Sequence, residues 1–205
     1  MHFIERPPLI YRWLFGKVLW RMPARDRKYV YLTFDDGPVP DVTPWVLDVL
    51  RDHNVKATFF MVGQNVLRYP ELIEKVREEG HSIGNHSLSH MQGIKNSSSD
   101  YITDVLAGAE ITASNIFRPP HGLMKPSQST RLKKFCRIVM YDLVSRDYSS
   151  RLSPDNVFNN IQQFTRDGSI IVFHDSVKAW PNLRITLPRA IKWLKKQGYE
   201  FGVIQ

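Results

Sequence analysis

Tyr29-Val30-Tyr31-Leu32-Thr33-Phe34-Asp35-Asp36-Gly37-Pro38 is the stretch that decides how this chain folds. Its first six residues form an apolar, alternating run, the pattern of a buried strand. Two adjacent carboxylates follow, and Gly37-Pro38 then stops the strand. Strand side chains alternate faces, and that alternation breaks only where the chain turns. Asp35 and Asp36 can therefore share one pocket only at a strand end. Two carboxylates forced together repel, so at least one needs a cation or a proton beside it. The same residues also fit a plain strand followed by an Asp-Gly turn.

A second stretch bears on that choice. Asn85-His86-Ser87-Leu88-Ser89-His90 carries two histidines at i and i+4. In a helical turn or tight loop this spacing brings both imidazoles to one side, where they can share a metal ion. With a carboxylate from an upstream strand end they make a His-His-Asp set. Three protein ligands leave a position open, the mark of a catalytic metal rather than a structural one. Two imidazoles and one carboxylate point to zinc, with cobalt or nickel able to substitute.

Five motifs then stand in a telling order: TFDDGP (33–38), HSLSH (86–90), RPPHG (118–122), Arg146-Asp147-Tyr148 and VFHD (172–175). With Thr43-Pro44-Trp45 and the run Lys56 to Phe60, this series resembles the NodB-homology polysaccharide deacetylases, carbohydrate esterase family four. The resemblance covers about residues 28 to 204. It implies a distorted, incomplete (β/α) barrel of about seven parallel strands. It also implies a metal-dependent hydrolase that removes acetyl groups from N-acetylated amino sugars, in chito-oligosaccharide, peptidoglycan or another surface glycan.

By that resemblance Asp36, His86 and His90 hold the metal, and Asp35 is the general base, oriented by Arg118. His174 is the general acid, held by Asp147, although Asp142 and Asp175 are rival partners on the sequence alone. The backbone N–H of His121 helps form an oxyanion hole, and Tyr148 and Val172 line the acetyl site. Three positions depart from the family pattern: His121 where tyrosine is frequent, Tyr148 for tryptophan, and Val172 for leucine. They bear on substrate choice more than on the chemistry. His81 reads as structural, His2 and His53 carry no signal, and Trp180 fits either a groove wall or core packing.

The rest of the chain supports an α/β fold. Strand-like runs alternate with helical ones at the spacing of repeated right-handed βα units, and every motif falls just after a strand. Expected strands cover residues 29–34, 57–62, 81–84, 115–118, 136–142, 169–173 and 199–204. Expected helices cover 69–79, 98–114, 126–135 and 183–196. Two more begin at caps, Thr43 before Pro44 and Ser153 before Pro154. Residues 1–27 form an N-terminal extension, helical from about Ile10 to Arg21 and ended by Pro23. Residues 28–205 form the deacetylase domain.

At 205 residues the chain suits one domain with a sizeable core. The net charge of +8 is spread out, with no aromatic-interleaved basic stripe, so no nucleic-acid partner is expected. Cys136 is the single cysteine, which excludes an intrachain disulfide. No apolar stretch reaches transmembrane length, and residues 9–20 lack a small-residue cleavage site. Residues 8–21 instead fit an amphipathic helix resting on the barrel or at a membrane surface, and a cytoplasmic or membrane-peripheral location is expected. The same site residues also suit an O-acetyl sugar esterase, a small-amide hydrolase, or a non-catalytic glycan-binding module that keeps the metal scaffold.

Overall fold

A computed structural model describes residues 5–16 and 18–205; His2 and Lys17 lie outside the described residues. The strand β1 (Tyr29–Asp35) sits at the centre of the sheet. It pairs with β2 (Thr58–Met61) on one side and with β7 (Ser169–His174) on the other. Outward from β2 lie β3 (Ser82–Asn85), β4 (Ile116–Phe117) and β5 (Arg137–Ile138). Outward from β7 lies β6 (Leu143–Val144), and β8 (Glu200–Phe201) pairs with the start of β1. All these pairings are parallel, as βα repeats require.

Alternation along the strands builds two cores. Val30, Leu32 and Phe34 face outward, under α2 (Thr43–Asp52) and α8 (Trp180–Lys196). There Phe34 stacks between Phe59 and Phe173 at 5.0 and 6.0 Å. Such aromatic pairs add about 0.5–1.5 kcal/mol each beyond their burial. Tyr31 faces the other way and meets Phe60, Ile116, Val139, Ile170 and Ile204. Side chains from β1, β2, β4 and β7 converge there because the sheet curls into an incomplete barrel, open between β5 and β6. The remaining helices are α3 (Gly63–Arg68), α4 (Pro70–Glu78), α5 (Ser98–Thr112), α6 (Pro126–Leu132) and α7 (Pro154–Phe164).

Several expectations are corrected in detail. The run 136–142 is not one strand. Only Arg137 and Ile138 form a strand, β5 on one edge, and residues 139–142 cross the open side to reach β6 on the other. The N-terminal helix is short, α1 (Leu9–Leu14), and does not run to Arg21. Its continuation is drawn into the sheet: Leu19 pairs with Val139, Met140 N–H donates to the Leu19 carbonyl, and Arg21 pairs with Ser169. Helix α3 was not foreseen, α8 starts three residues before Leu183, and the closing strand is only two residues long. Ser153 caps α7 as expected, in a capping box with Asn156. Thr43 does not cap α2; it is the first helical residue, and its hydroxyl is taken by Asp175.

The extension is pinned by Asp142. This fully buried carboxylate accepts from Arg12 at 2.7 Å, from Arg166 Nε and Nη2 at 2.9 and 2.6 Å, and from the Ser169 hydroxyl at 2.9 Å. Burial pushes its pKa up, but the hydrogen bonds from Arg166, Arg12 and Ser169 outweigh it and hold it below the usual carboxylate range. Asp142 is thus a structural anchor and not a partner of His174.

Candidate active site and metal centre

Every motif meets at the carboxyl ends of the strands, around one cavity of about 460 Å³. Asp35 is the last residue of β1 and shares the inward face with Tyr31 and Thr33. Asp36 then takes a left-handed backbone (φ 78°), which breaks the alternation and lets both carboxylates line the cavity. Gly37 is required at the next position. A Cβ there would lie 2.1 Å from the Asp175 carboxylate, which accepts the Gly37 N–H at 3.2 Å.

His86 and His90 follow β3 in a loop rather than a helix. Left-handed backbones at Ser87 and His90 fold that loop over the strand end. Together with Asp36 and His121 they place four non-glycine residues in a disfavoured region around one cavity. Such strain persists only where its surroundings over-determine it, and it gathers at functional sites.

One donor atom each from Asp36, His86 and His90 lies within 4.8 Å of the others. His90 Nε2 and His86 Nε2 stand 3.1 and 3.6 Å from Asp36 Oδ1. The Nδ1 of His86 lies 2.8 Å from the Arg118 carbonyl, so Nδ1–H donates there and Nε2 keeps its lone pair. Burial pushes the His86 pKa down to about 4, and the ring is neutral, as a ligand must be. Burial would raise the Asp36 pKa, but the His90 hydrogen bond and the His174 and His86 imidazoles hold it below the usual carboxylate range. Two imidazole nitrogens and a carboxylate oxygen fit a divalent first-row metal.

Arg118 is buried in the barrel (1% exposed), not at the surface. Its Nη1 donates to Asp35 Oδ1 at 2.6 Å and to the Thr33 hydroxyl at 2.8 Å. Its Nη2 donates to the Met140 carbonyl at 3.0 Å, and its guanidinium lies 4.0 Å from the Phe60 ring centroid. These contacts fix the Asp35 carboxylate in one orientation.

On the adjoining strand, the β1–β7 register sets His174 directly beside Asp35. His174 Nδ1 lies 2.8 Å from Asp147 Oδ1, and its backbone N–H donates to Asp147 Oδ2 at 2.8 Å. Burial alone would lower the His174 pKa, but the Asp147 charge and hydrogen bond, with Asp36 and Asp35 further off, raise it to about 9. Asp175 cannot serve His174. It points to the other side of the strand end, accepts the Thr43 hydroxyl at 2.6 Å, and is pushed up by burial to about 8.

Tyr148, Val172 and His121 also line the cavity, with Tyr148 edge-on to His174 at 4.9 Å. His81 lies apart: its Nδ1 accepts the Ala57 N–H, as a structural histidine would. Trp180 is likewise outside the cavity and packs on Trp45 at 5.0 Å. Three further lining residues, Tyr141, Val144 and Lys178, went unnoticed in the sequence, and Gly122 stood there only as the end of the RPPHG motif. Tyr141 and Val144 flank the junction into β6, and Lys178 comes four residues after His174, so their only signal was closeness to a strand end.

Comparison with known proteins points to one family. A family model described as polysaccharide deacetylase matches residues 23–136. A peptidoglycan-N-acetylglucosamine deacetylase of Bacillus cereus is 33% identical over 92% of this chain and 92% of its own. A chitooligosaccharide deacetylase of Azorhizobium caulinodans is 31% identical, over 74% of this chain and 76% of its own. A solved peptidoglycan N-acetylglucosamine deacetylase, in complex with an N-hydroxybenzamide, superposes with a TM-score of 0.85 at 30% identity. That match covers 95% of this chain and 94% of the solved one.

Proposed function

The chain belongs to the polysaccharide deacetylase family, and we propose that it hydrolyses the N-acetyl groups of amino sugars in a glycan, with Asp36, His86 and His90 holding a divalent metal. Peptidoglycan and chito-oligosaccharide, the substrates named for its relatives, define the substrate class. Zinc is the metal the donor set favours, with cobalt or nickel as substitutes. One observation carries the proposal: the β1–β7 register sets an arginine-held carboxylate beside a carboxylate-held imidazole, at a cavity lined by all three metal donors.

A bound divalent ion supplies Lewis acidity, which acidifies water and polarises an acetyl carbonyl. The side chains do the rest. Arg118 occupies one oxygen of Asp35, and the other accepts a proton from the attacking water. Hydroxide adds to the acetyl carbon, and the backbone N–H of His121 steadies the developing oxyanion. His174, charged through its bond to Asp147, gives its proton to the sugar nitrogen. The C–N bond then breaks to leave acetate and a free amine. Val172 and Tyr148 flank the acetyl methyl group.

The acid role is tested by pH and by leaving group. The His174 pKa lies above the ordinary histidine value, so the imidazolium persists through neutrality and is lost as pH rises through about 9. Activity is expected to fall on that alkaline side, and His174→Ala to abolish the limb. An ester leaves as an alkoxide and needs protonation less than an amine does. The variant should therefore lose about 10²–10⁴-fold on an N-acetyl substrate and much less on an O-acetyl one. Equal losses on both would give His174 a structural or binding role.

A further inference from the structure

We propose that the outer face of α1 docks on the surface of an anionic lipid bilayer. The helix is inverted relative to the usual surface helix, whose apolar stripe faces the core. Its inner face carries Arg12, bound to the buried Asp142 and lying over the Trp20 ring, with Tyr11 and Phe15 beside it. Its outer face is wholly apolar: Leu9, Ile10, Trp13 and Leu14 are 83%, 74%, 81% and 52% exposed. Its one charge is thus spent inward, and every large side chain left outside is hydrophobic.

The surroundings are basic. Residues 6–25 carry five Lys and Arg and no carboxylate, and residues 123–141 carry another five and none. The two stretches meet in space: Tyr11 donates to the Gly122 carbonyl, Lys133 Nζ donates to the Gly16 carbonyl, and Met140 N–H to that of Leu19. Beside Lys133 the exposed Phe135 continues the apolar surface, with Arg131 and Lys134 exposed next to it. Asp142, paired with Arg6 and Arg12, is buried beneath this surface, and exposed tryptophan and aliphatic side chains among cations are the composition of an interfacial anchor.

A second copy of the chain is a poorer occupant. It would bring two basic patches together. A six-residue helix also offers far less than the roughly 800 Å² each partner buries in a stable protein interface.

Sedimentation with vesicles tests this apart from any glycan chemistry. The protein is mixed with vesicles of phosphatidylcholine alone, or of phosphatidylcholine with phosphatidylglycerol, at low and high salt. It should pellet with the anionic vesicles, less so at high salt, and stay largely in solution with the neutral ones. Ile10→Ser with Trp13→Ser should reduce pelleting by about tenfold or more, and Lys133→Gln with Lys134→Gln should weaken it. The serine changes fall on exposed positions, and the Ile10→Ser single variant serves if the pair melts early. Failure to pellet with anionic vesicles would overturn the proposal, as would equal pelleting of the serine variants. A lipid-free dimer that Trp13→Ser dissociates would assign the face to a second copy instead.

Discussion

Asp35→Asn is expected to lower turnover by about 10²–10⁴-fold while metal and glycan binding persist, since that is the usual worth of a general base. The change is close to isosteric. The amide oxygen can still accept from Arg118 Nη1, now 2.6 Å from Asp35 Oδ1, so the geometry around the base should survive. What disappears is the negative charge that takes the proton. Removing it leaves the buried Arg118 without its counter-ion, so a lower melting temperature should accompany the loss. Initial rates below the melting range, with metal content measured on the same sample, separate the two effects. Unchanged turnover would make Asp35 a turn residue.

His86→Ala should remove bound metal and activity together, yet leave a folded protein. Its Nε2 is one of three donors around a single point, and losing a ligand from a three-ligand site is far more costly than loosening its support. Its Nδ1 makes one hydrogen bond, to the Arg118 carbonyl, so the change gives up little of the packing. Metal analysis after dialysis, activity, and melting of the metal-free forms together check this. If metal stays bound while the metal-free protein melts much earlier than wild type, His86 is a core histidine and the donor set is wrong.

The parts of this site that were legible in the sequence are those fixed by local chain geometry. Asp35 and Asp36 could share a pocket only at a strand end, and a left-handed backbone at Asp36 provides it. The spacing of His86 and His90 sufficed to bring two imidazoles together, and of the two geometries that suit it, a helical turn or a tight loop, the chain uses the loop. Contacts made across the barrel were not legible in that way. Asp142, Asp147 and Asp175 all lie near His174 in the motif order, and only the packing of β6, β7 and the N-terminal extension separates them. Alternation could not remove Asp175, because it stands just past the end of β7, where, as Asp36 shows after β1, the alternation of faces can break.

Thr43 shows the same limit. Thr-Pro ahead of an apolar stripe is a sound helix start, but the hydroxyl was claimed by a carboxylate 132 residues away. Likewise the helix of the extension ended early because the backbone groups of residues 19 to 22 found partners at the open side of the barrel. Neither partner is visible within a local window of sequence.

The central claim, metal-dependent N-deacetylation of a glycan, is tested most directly by acetate release. Peptidoglycan fragments and chito-oligosaccharides of several lengths are incubated with protein loaded with zinc, with protein stripped by chelator, and with stripped protein given zinc again. The expected result is acetate and free amine in equal amounts from at least one of these glycans, lost on stripping and restored by zinc. Release that continues in protein verified to be metal-free, or no acetate from any N-acetylated glycan at full zinc occupancy, would contradict it.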